Sequence, residues 1–227
     1  MIISILGTGM VGQSLAQKLQ SLGHEIYMGT RDAEKTKVRT EVNNMTGKSF
    51  ADWLGANSDI RLRDYAELPE ASDLFINASN GEASIKALQA LGKDKLKNKV
   101  ILDLANPLDF SQGFPPSLSI SNTNSLAEAI QKEFAESKVV KSLNTMNCEL
   151  MMNPSKIKGD HSVFLSGNDE DAKSRVKGLL QEIGWKEQNI FDLGDISTAR
   201  GTEMMLPIWL RLYAVLGHSN FNFHLAM

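Results

Sequence analysis

The stretch "GTGMVG" places Gly7, Gly9 and Gly12 in the G-x-G-x-x-G spacing. That spacing lets a main chain close around a phosphate. Gly7 permits a tight turn, Gly9 lets the backbone approach a pyrophosphate, and Gly12 lets the following helix pack closely on the preceding strand. The amides that open that helix, from Thr8 through Met10 to Val11, would face the phosphates along a favourable helix dipole. A strand immediately before and an amphipathic helix immediately after favour the phosphate reading over glycines needed only for a turn.

The second informative stretch is "HEIYMGTRDAEKTK", residues 24 to 37. If it holds the second strand of a dinucleotide-binding unit, its end is where an acid binds the ribose 2′-hydroxyl of NAD and repels a 2′-phosphate. Thr30 and Arg31 stand there instead. Thr30 offers a hydroxyl, Arg31 can fork onto phosphate oxygens, and Lys35 follows one helical turn later. Three donors argue for NADP. Asp32 leaves an alternative: slipped by one position it would be the ribose acid, and the cofactor would be NAD.

The remaining chemistry should lie at the carboxyl ends of the strands, where open α/β sheets bind ligands. Those ends read "NASNG" (77 to 81), "ANP" (105 to 107) and "NTMN" (144 to 147). They are uncharged and mostly small and polar, able to hydrogen-bond a ribose or carboxamide beside a flat ring. Asn, Ser and Pro also simply form loops, but their agreement at three strand ends favours a site. No strand end in the second half offers His, Lys or Tyr as an acid or base, and Tyr-x-x-x-Lys does not occur, so no catalytic side chain is assigned. Hydride exchange between two redox rings needs none, because the cofactors carry the chemistry and the protein aligns them. The four histidines have no metal-ligand spacing, no metal site is expected, and Cys148, the single cysteine, reads as a small bland residue.

The elements that must position these residues alternate. "IISIL" (2 to 6) is a buried strand, followed by a helix through Val11, Leu15, Leu19 and Leu22. "EIYMG" is the second strand, and a weakly helical polar stretch is broken by an "NNMTGK" turn (43 to 48). Strands follow at "DIRLR" (59 to 63), "DLFINAS" (73 to 79), "VILDLANP" (100 to 107) and "KVVKSLNT" (138 to 145), with a helix closed by Gly92 and a loop over 108 to 124. Ser125 and Glu128 form a capping box for the helix through Leu126, Ile130 and Phe134. "HSVFLSGN" (161 to 168), an acid-led helix and "NIFDLG" (189 to 194) precede an apolar segment, Met204 to Leu216.

This alternation implies an α/β fold with a doubly wound parallel sheet, the Rossmann NAD(P)-binding arrangement. Residues 1–150 would form the dinucleotide-binding domain, and 151–227 a small C-terminal α/β extension and lid with the apolar helix packed on it. The apolar segment must be buried, either in the monomer's core or in a symmetric homodimer contact. At 227 residues, with 42% hydrophobic and 22% charged residues and a net charge of −3, the chain suits a globular protein with no nucleic-acid or membrane partner. One cysteine and the absence of a basic leader fit a cytoplasmic setting.

Taken together, "ILGTGMVGQSLAQKLQSLGHEI" with "GTRD", "KVVKSLNT" and "ARGTEMMLPIWLRL" resemble the NADPH-dependent deazaflavin (coenzyme F420) oxidoreductase family along nearly the whole chain. The resemblance implies an NADP-dependent oxidoreductase that moves hydride between NADPH and a deazaflavin or flavin-like small-molecule acceptor. It implies that Thr8, Met10, Thr30, Arg31 and Lys35 hold NADP. Ala78, Ser79, Asn106 and Pro107 would line the nicotinamide side. Asn144, Thr145, Met146, Asn147 and the C-terminal helix would border the second ring. The loops "NTMNCELMMNP" and "NASNGEAS" depart from the family pattern. An imine or carbonyl reductase akin to the pyrroline-carboxylate enzymes, and a non-catalytic NADP-binding sensor, remain as alternatives.

Overall fold

The computed structural model describes residues 1–43 and 47–226. Half of the turn expected at 43 to 48, residues 44–46, lies outside the described residues. β1 (Ile2–Leu6) runs into the glycine turn and α1 (Met10–Ser21), which buries Gly12, Leu15, Ala16 and Leu19. β2 (Glu25–Thr30), α2 (Ala33–Lys37), α3 (Phe50–Gly55) and β3 (Arg61–Asp64) follow. β4 (Leu74–Asn77), α4 (Gly81–Leu91), α5 (Lys93–Leu96) and β5 (Val100–Asp103) come next. Then come the short strands β6 (Leu108–Asp109) and β7 (Ser117–Leu118), α6 (Leu126–Glu133) and β8 (Lys138–Ser142). The last third adds α7 (Cys148–Met152), β9 (Val163–Gly167), α8 (Glu170–Ile183), β10 (Ile190–Asp192), α9 (Ala199–Met204) and α10 (Leu206–Leu216).

Among the described residues the main sheet runs β10-β9-β8-β5-β4-β1-β2-β3. From β3 to β8 all pairs are parallel and in Rossmann order, so the crevice between β1 and β4 is the topological switch point. Every residue of β4 and β5 is buried, as expected for parallel strands covered on both faces. Alternate residues feed two cores. Ile3, Ile5, Ile26, Met28 and Leu102 meet α1, α3, α7 and α8 on one face. Leu6, Phe75, Ile101 and Val139 meet α4, α5 and α6 on the other.

Three features depart from expectation. First, the sheet is not parallel throughout. β9 pairs antiparallel with β8, Val140 opposite Gly167, and β10 pairs parallel with β9, so residues beyond 151 widen the same sheet. The twenty residues that separate β8 from β9 include α7 but no crossover to the opposite face, and the chain reverses direction instead. Second, the 108 to 124 loop contains the antiparallel pair β6–β7.

Third, of the two placements expected for the apolar segment, burial in the monomer's core is not found. In α10 only Leu206 and Leu210 are buried, while Ile208 is 55% and Val215 82% exposed. The tail beyond it folds back: the amide of Ser162 donates to the Phe223 carbonyl at 2.8 Å and Asn147 Nδ2 to the Ser219 carbonyl at 2.7 Å. No described helix is long and apolar enough to cross a membrane.

Candidate active site

The glycine turn meets the other strand ends by direct backbone contact. Gly7 has φ 120°, a region L side chains rarely adopt, and a Cβ there would stand 2.5 Å from the Ala78 carbonyl oxygen. A Cβ on Gly12 would stand 2.2 Å from the Gly7 carbonyl oxygen, so strand and helix touch where the spacing said they must. At Gly9, by contrast, a Cβ would meet no atom of the chain within 4 Å. The turn is therefore tight behind and open in front, the shape a pyrophosphate needs.

At the end of β2 the ambiguity over Asp32 has a structural answer. Asp32 is the N-cap of α2, its carboxylate accepting the Lys35 amide at 2.8 Å. Asp64, from the neighbouring β3, is likewise engaged, accepting the Ala33 amide at 2.6 Å. Arg31 and Lys35 are exposed, and their side chains make no hydrogen bond or ion pair among the described residues. Burial raises the Tyr65 phenol, and the positive charge of Arg31 opposes that shift. Thr30 Oγ1 is hydrogen-bonded to Thr36 Oγ1 at 2.9 Å. With Asp32 and Asp64 accepting backbone amides and Arg31 and Lys35 unpaired, this corner offers two free cations to an anion.

Arg39 also belongs here, and the sequence reading missed it. Its guanidinium donates to the Thr8 carbonyl at 3.1 Å and to Thr8 Oγ1 at 3.3 Å, and lies 4.9 Å over the Phe50 ring. No motif spacing announces it, because Phe50 and Thr8 meet it only through the tertiary fold.

A cavity of about 240 Å³ opens beside the turn, against the ends of β4, β5 and β8. Val11, Ala78, Ser79, Asn106, Asn144 and Met146 line it, and Leu206 and Trp209 of α10 form a wall that includes no ionisable side chain. Asn106 and Asn144 join the loops: Asn144 Nδ2 donates to Asn106 Oδ1 at 2.9 Å, and Asn106 Nδ2 to the Asn144 carbonyl at 2.9 Å. Leu143, just before Asn144, takes φ 61°, a left-handed conformation that turns the chain at the strand end and costs about 1–3 kcal/mol.

Three residues expected at the site do not line the cavity. Pro107 is buried, with its Cα 3.1 Å from where a Gly81 Cβ would stand. Thr145 is 2% exposed, inside the core. Asn147 caps α7, accepting the Leu150 amide at 3.0 Å. Alternate residues in an irregular loop point opposite ways, so Asn144 and Met146 face the cavity while their neighbours do structural work.

Behind the cavity lies a buried charge cluster that β8 presents and sequence reasoning also missed. Lys141, 1% exposed, is 2.8 Å from Asp103 Oδ2 and 2.8 Å from Glu203 Oε1, and it donates to the Ala105 carbonyl. Glu203 in turn accepts the Leu126 and Ala127 amides at 2.8 and 3.1 Å, at the start of α6. Burial pulls the Lys141 amine down, but the two carboxylates outweigh it and hold the group above the ordinary lysine value, as a fixed cation. No cluster of His, Cys, Asp or Glu able to hold a metal occurs among the described residues.

The family model described as "NADP oxidoreductase coenzyme F420-dependent" matches residues 2–107. A crystal structure from Arthrobacter sp. FB24, of a protein named as a candidate F420-dependent NADP-reductase, is 48% identical, covers 99% of each chain and superposes with a TM-score of 0.93. The F420-dependent NADP reductase of Methanothermobacter marburgensis is 25% identical over 219 residues, 93% of this chain and 92% of that one. Metalloreductase STEAP3 of Rattus norvegicus is 23% identical over 212 residues, which are 91% of this chain but 37% of that protein.

Proposed function

Because the chain belongs to the family of coenzyme F420-dependent NADP oxidoreductases, and so is an NADP-dependent oxidoreductase, we propose that it passes hydride between NADPH and a deazaflavin of the F420 type. The observation that carries this reading is the cavity beside the glycine turn, whose lining holds amides, hydroxyls and apolar side chains but no acid or base. A carbonyl or hydroxy-acid substrate needs a proton donor beside the reacting carbon. Two redox rings need no such donor, only alignment by the surrounding side chains.

The Gly7–Gly12 turn with the amides of Thr8 to Val11 receives the pyrophosphate. Thr30, Arg31 and Lys35 meet the 2′-phosphate, and Arg39 stiffens the turn through Thr8. Ala78, Ser79 and Asn106 border the nicotinamide, with Asn144, Met146, Leu206 and Trp209 on the acceptor's side. When bound, NADPH would supply the hydride, and the balancing proton would come from solvent because no side chain lining the cavity can donate one. The exposed apolar face of α10 is covered in a homodimer.

The test is anaerobic NADPH oxidation by the purified protein, with the deazaflavin and with FMN as parallel acceptors. Rapid turnover with the deazaflavin, and little with FMN, is expected. NADPH binding without turnover of either would overturn the acceptor assignment while leaving the cofactor site intact.

A further inference from the structure

A single line of hydrogen bonds joins the buried charge cluster to the mouth of the cavity. Asp103, fully buried and ion-paired with Lys141 through Oδ2, accepts from Asn77 Nδ2 through Oδ1 at 2.7 Å. Asn77, also fully buried, accepts the Ser79 hydroxyl at 2.6 Å through Oδ1. Ser79 lines the cavity.

Each link fixes the polarity of the next. A carboxylate only accepts, so the amide nitrogen of Asn77 must face Asp103 and its oxygen must face Ser79. Flipping the Asn77 amide would set its carbonyl oxygen against the buried Asp103 carboxylate, whose other oxygen is ion-paired with Lys141 at 2.8 Å. With its one proton given to Asn77, the Ser79 hydroxyl has only lone pairs left for the cavity. The other acceptors within its reach, the fully buried Ser84 hydroxyl at 3.2 Å and the Asn80 carbonyl at 3.5 Å, are farther than the Asn77 oxygen and are also groups of the protein, so they do not turn the proton to a ligand.

We propose that the Lys141–Asp103–Asn77 array locks the Ser79 hydroxyl as a hydrogen-bond acceptor, which makes Asn77 and Ser79 specificity residues for a primary carboxamide over a carboxylate at the ring end of the cofactor. A carboxamide N–H meets those lone pairs, whereas a carboxylate sets oxygen against oxygen. Asn77 and Lys141 act through Ser79 and are positioning residues. The inference rests on the reading that the nicotinamide half of NADP occupies this cavity.

The experiment compares dissociation constants of NADP and its nicotinic acid analogue, with 2′-phospho-ADP-ribose as the ringless control. Wild type should favour NADP over the acid analogue by about ten-fold, the worth of one well-placed hydrogen bond. Asn77→Ala removes the 2.6 Å acceptor and leaves only the longer contacts to Ser84 and Asn80, so the hydroxyl can turn to donate and the preference should fall to within about two-fold while the affinity for the ringless control stays unchanged. Ser79→Ala should do the same, and the double variant should add nothing. Lys141→Met should erode the preference if it folds. If it does not, Asn77→Ala still decides, because it leaves the ion pairs intact.

Discrimination that survives Asn77→Ala, or losses that add in the double variant, would overturn the lock. Equal binding of both dinucleotides by the wild type would overturn it as well, whereas a wild type that binds NADP no more tightly than the ringless control would remove the ring from this cavity, and the reading beneath the inference with it.

Discussion

At the end of β2 the choice between two cofactors comes down to which side chains are free to meet an anion. Asp32 is spent on the cap of α2, while Arg31 and Lys35 are unpaired. Arg31→Ala should therefore weaken NADPH by about 1.5–3 kcal/mol, the worth of a charge-assisted hydrogen bond, and leave NADH nearly unchanged. Titration of both dinucleotides by intrinsic fluorescence checks it, and equal losses would count against the 2′-phosphate corner. Gly12 carries a different kind of information. A methyl group there has backbone, not a yielding side chain, 2.2 Å away, so Gly12→Ala should cost at least the roughly 1–3 kcal/mol of overpacking and lower the melting temperature. Gly12 is legible in the sequence because its role is local, and Arg31 stands out there because the turn, cap and charges around it lie within a few positions. Arg39 and Lys141 are not, because their partners Thr8, Phe50, Asp103 and Glu203 reach them only through the packed sheet.

Among elements, the strands were the readable part. "IISIL" is β1 as read, and the expected strands at 59, 73, 100 and 138 all occur within a few residues of their observed limits. A buried parallel strand is a continuous apolar run, and little else produces one. Direction is harder, since an antiparallel β9 has the same apolar pattern as a parallel one. The capping of α6 shows how a local motif can be rerouted. Ser125 Oγ accepts the Glu128 amide at 3.1 Å as expected. Glu128, however, meets Arg200 of α9 in a two-pronged ion pair at 2.8 and 2.5 Å, which pins α9 to the start of α6. That pair, with the Ser125 hydroxyl assisting, holds the Glu128 carboxyl below its ordinary value of 4.5. A depressed carboxylate stabilises the fold fully above its unfolded pKa and ceases to do so as pH falls through the folded one. Wild type should thus melt higher than Glu128→Gln at pH 7, and the gap should close on acidification below about pH 4.5. A gap that persists into acid would mean that packing, not charge, joins α9 to α6.

At the scale of the whole molecule, the apolar C-terminal helix is the feature that the monomer does not resolve. The segment is apolar nearly all round, which calls for burial, yet Ile208, Val215 and Leu216 remain 55%, 82% and 46% exposed. The helix's inner residues, Leu206 and Trp209, form a cavity wall, and Trp209 stacks on Tyr213 and Phe221 at 5.7 and 5.3 Å. One side of α10 therefore faces the cavity while another leaves apolar side chains exposed to solvent, as interaction surfaces do. Covering that side with a second copy through a two-fold axis would pair α10 with α10 and brace the cavity wall from behind. Ile208→Asp with Val215→Asp changes only exposed positions, so the fold should survive while the dimer dissociates. Light scattering should give twice the chain mass for wild type and the single chain mass for the double variant. Acceptor turnover should fall in the variant more than NADPH binding does, since α10 contributes Leu206 and Trp209 to the cavity wall and nothing to the 2′-phosphate corner of Thr30, Arg31 and Lys35. A wild type that is monomeric at assay concentration would leave α10 exposed in solution and remove the dimer from the proposal.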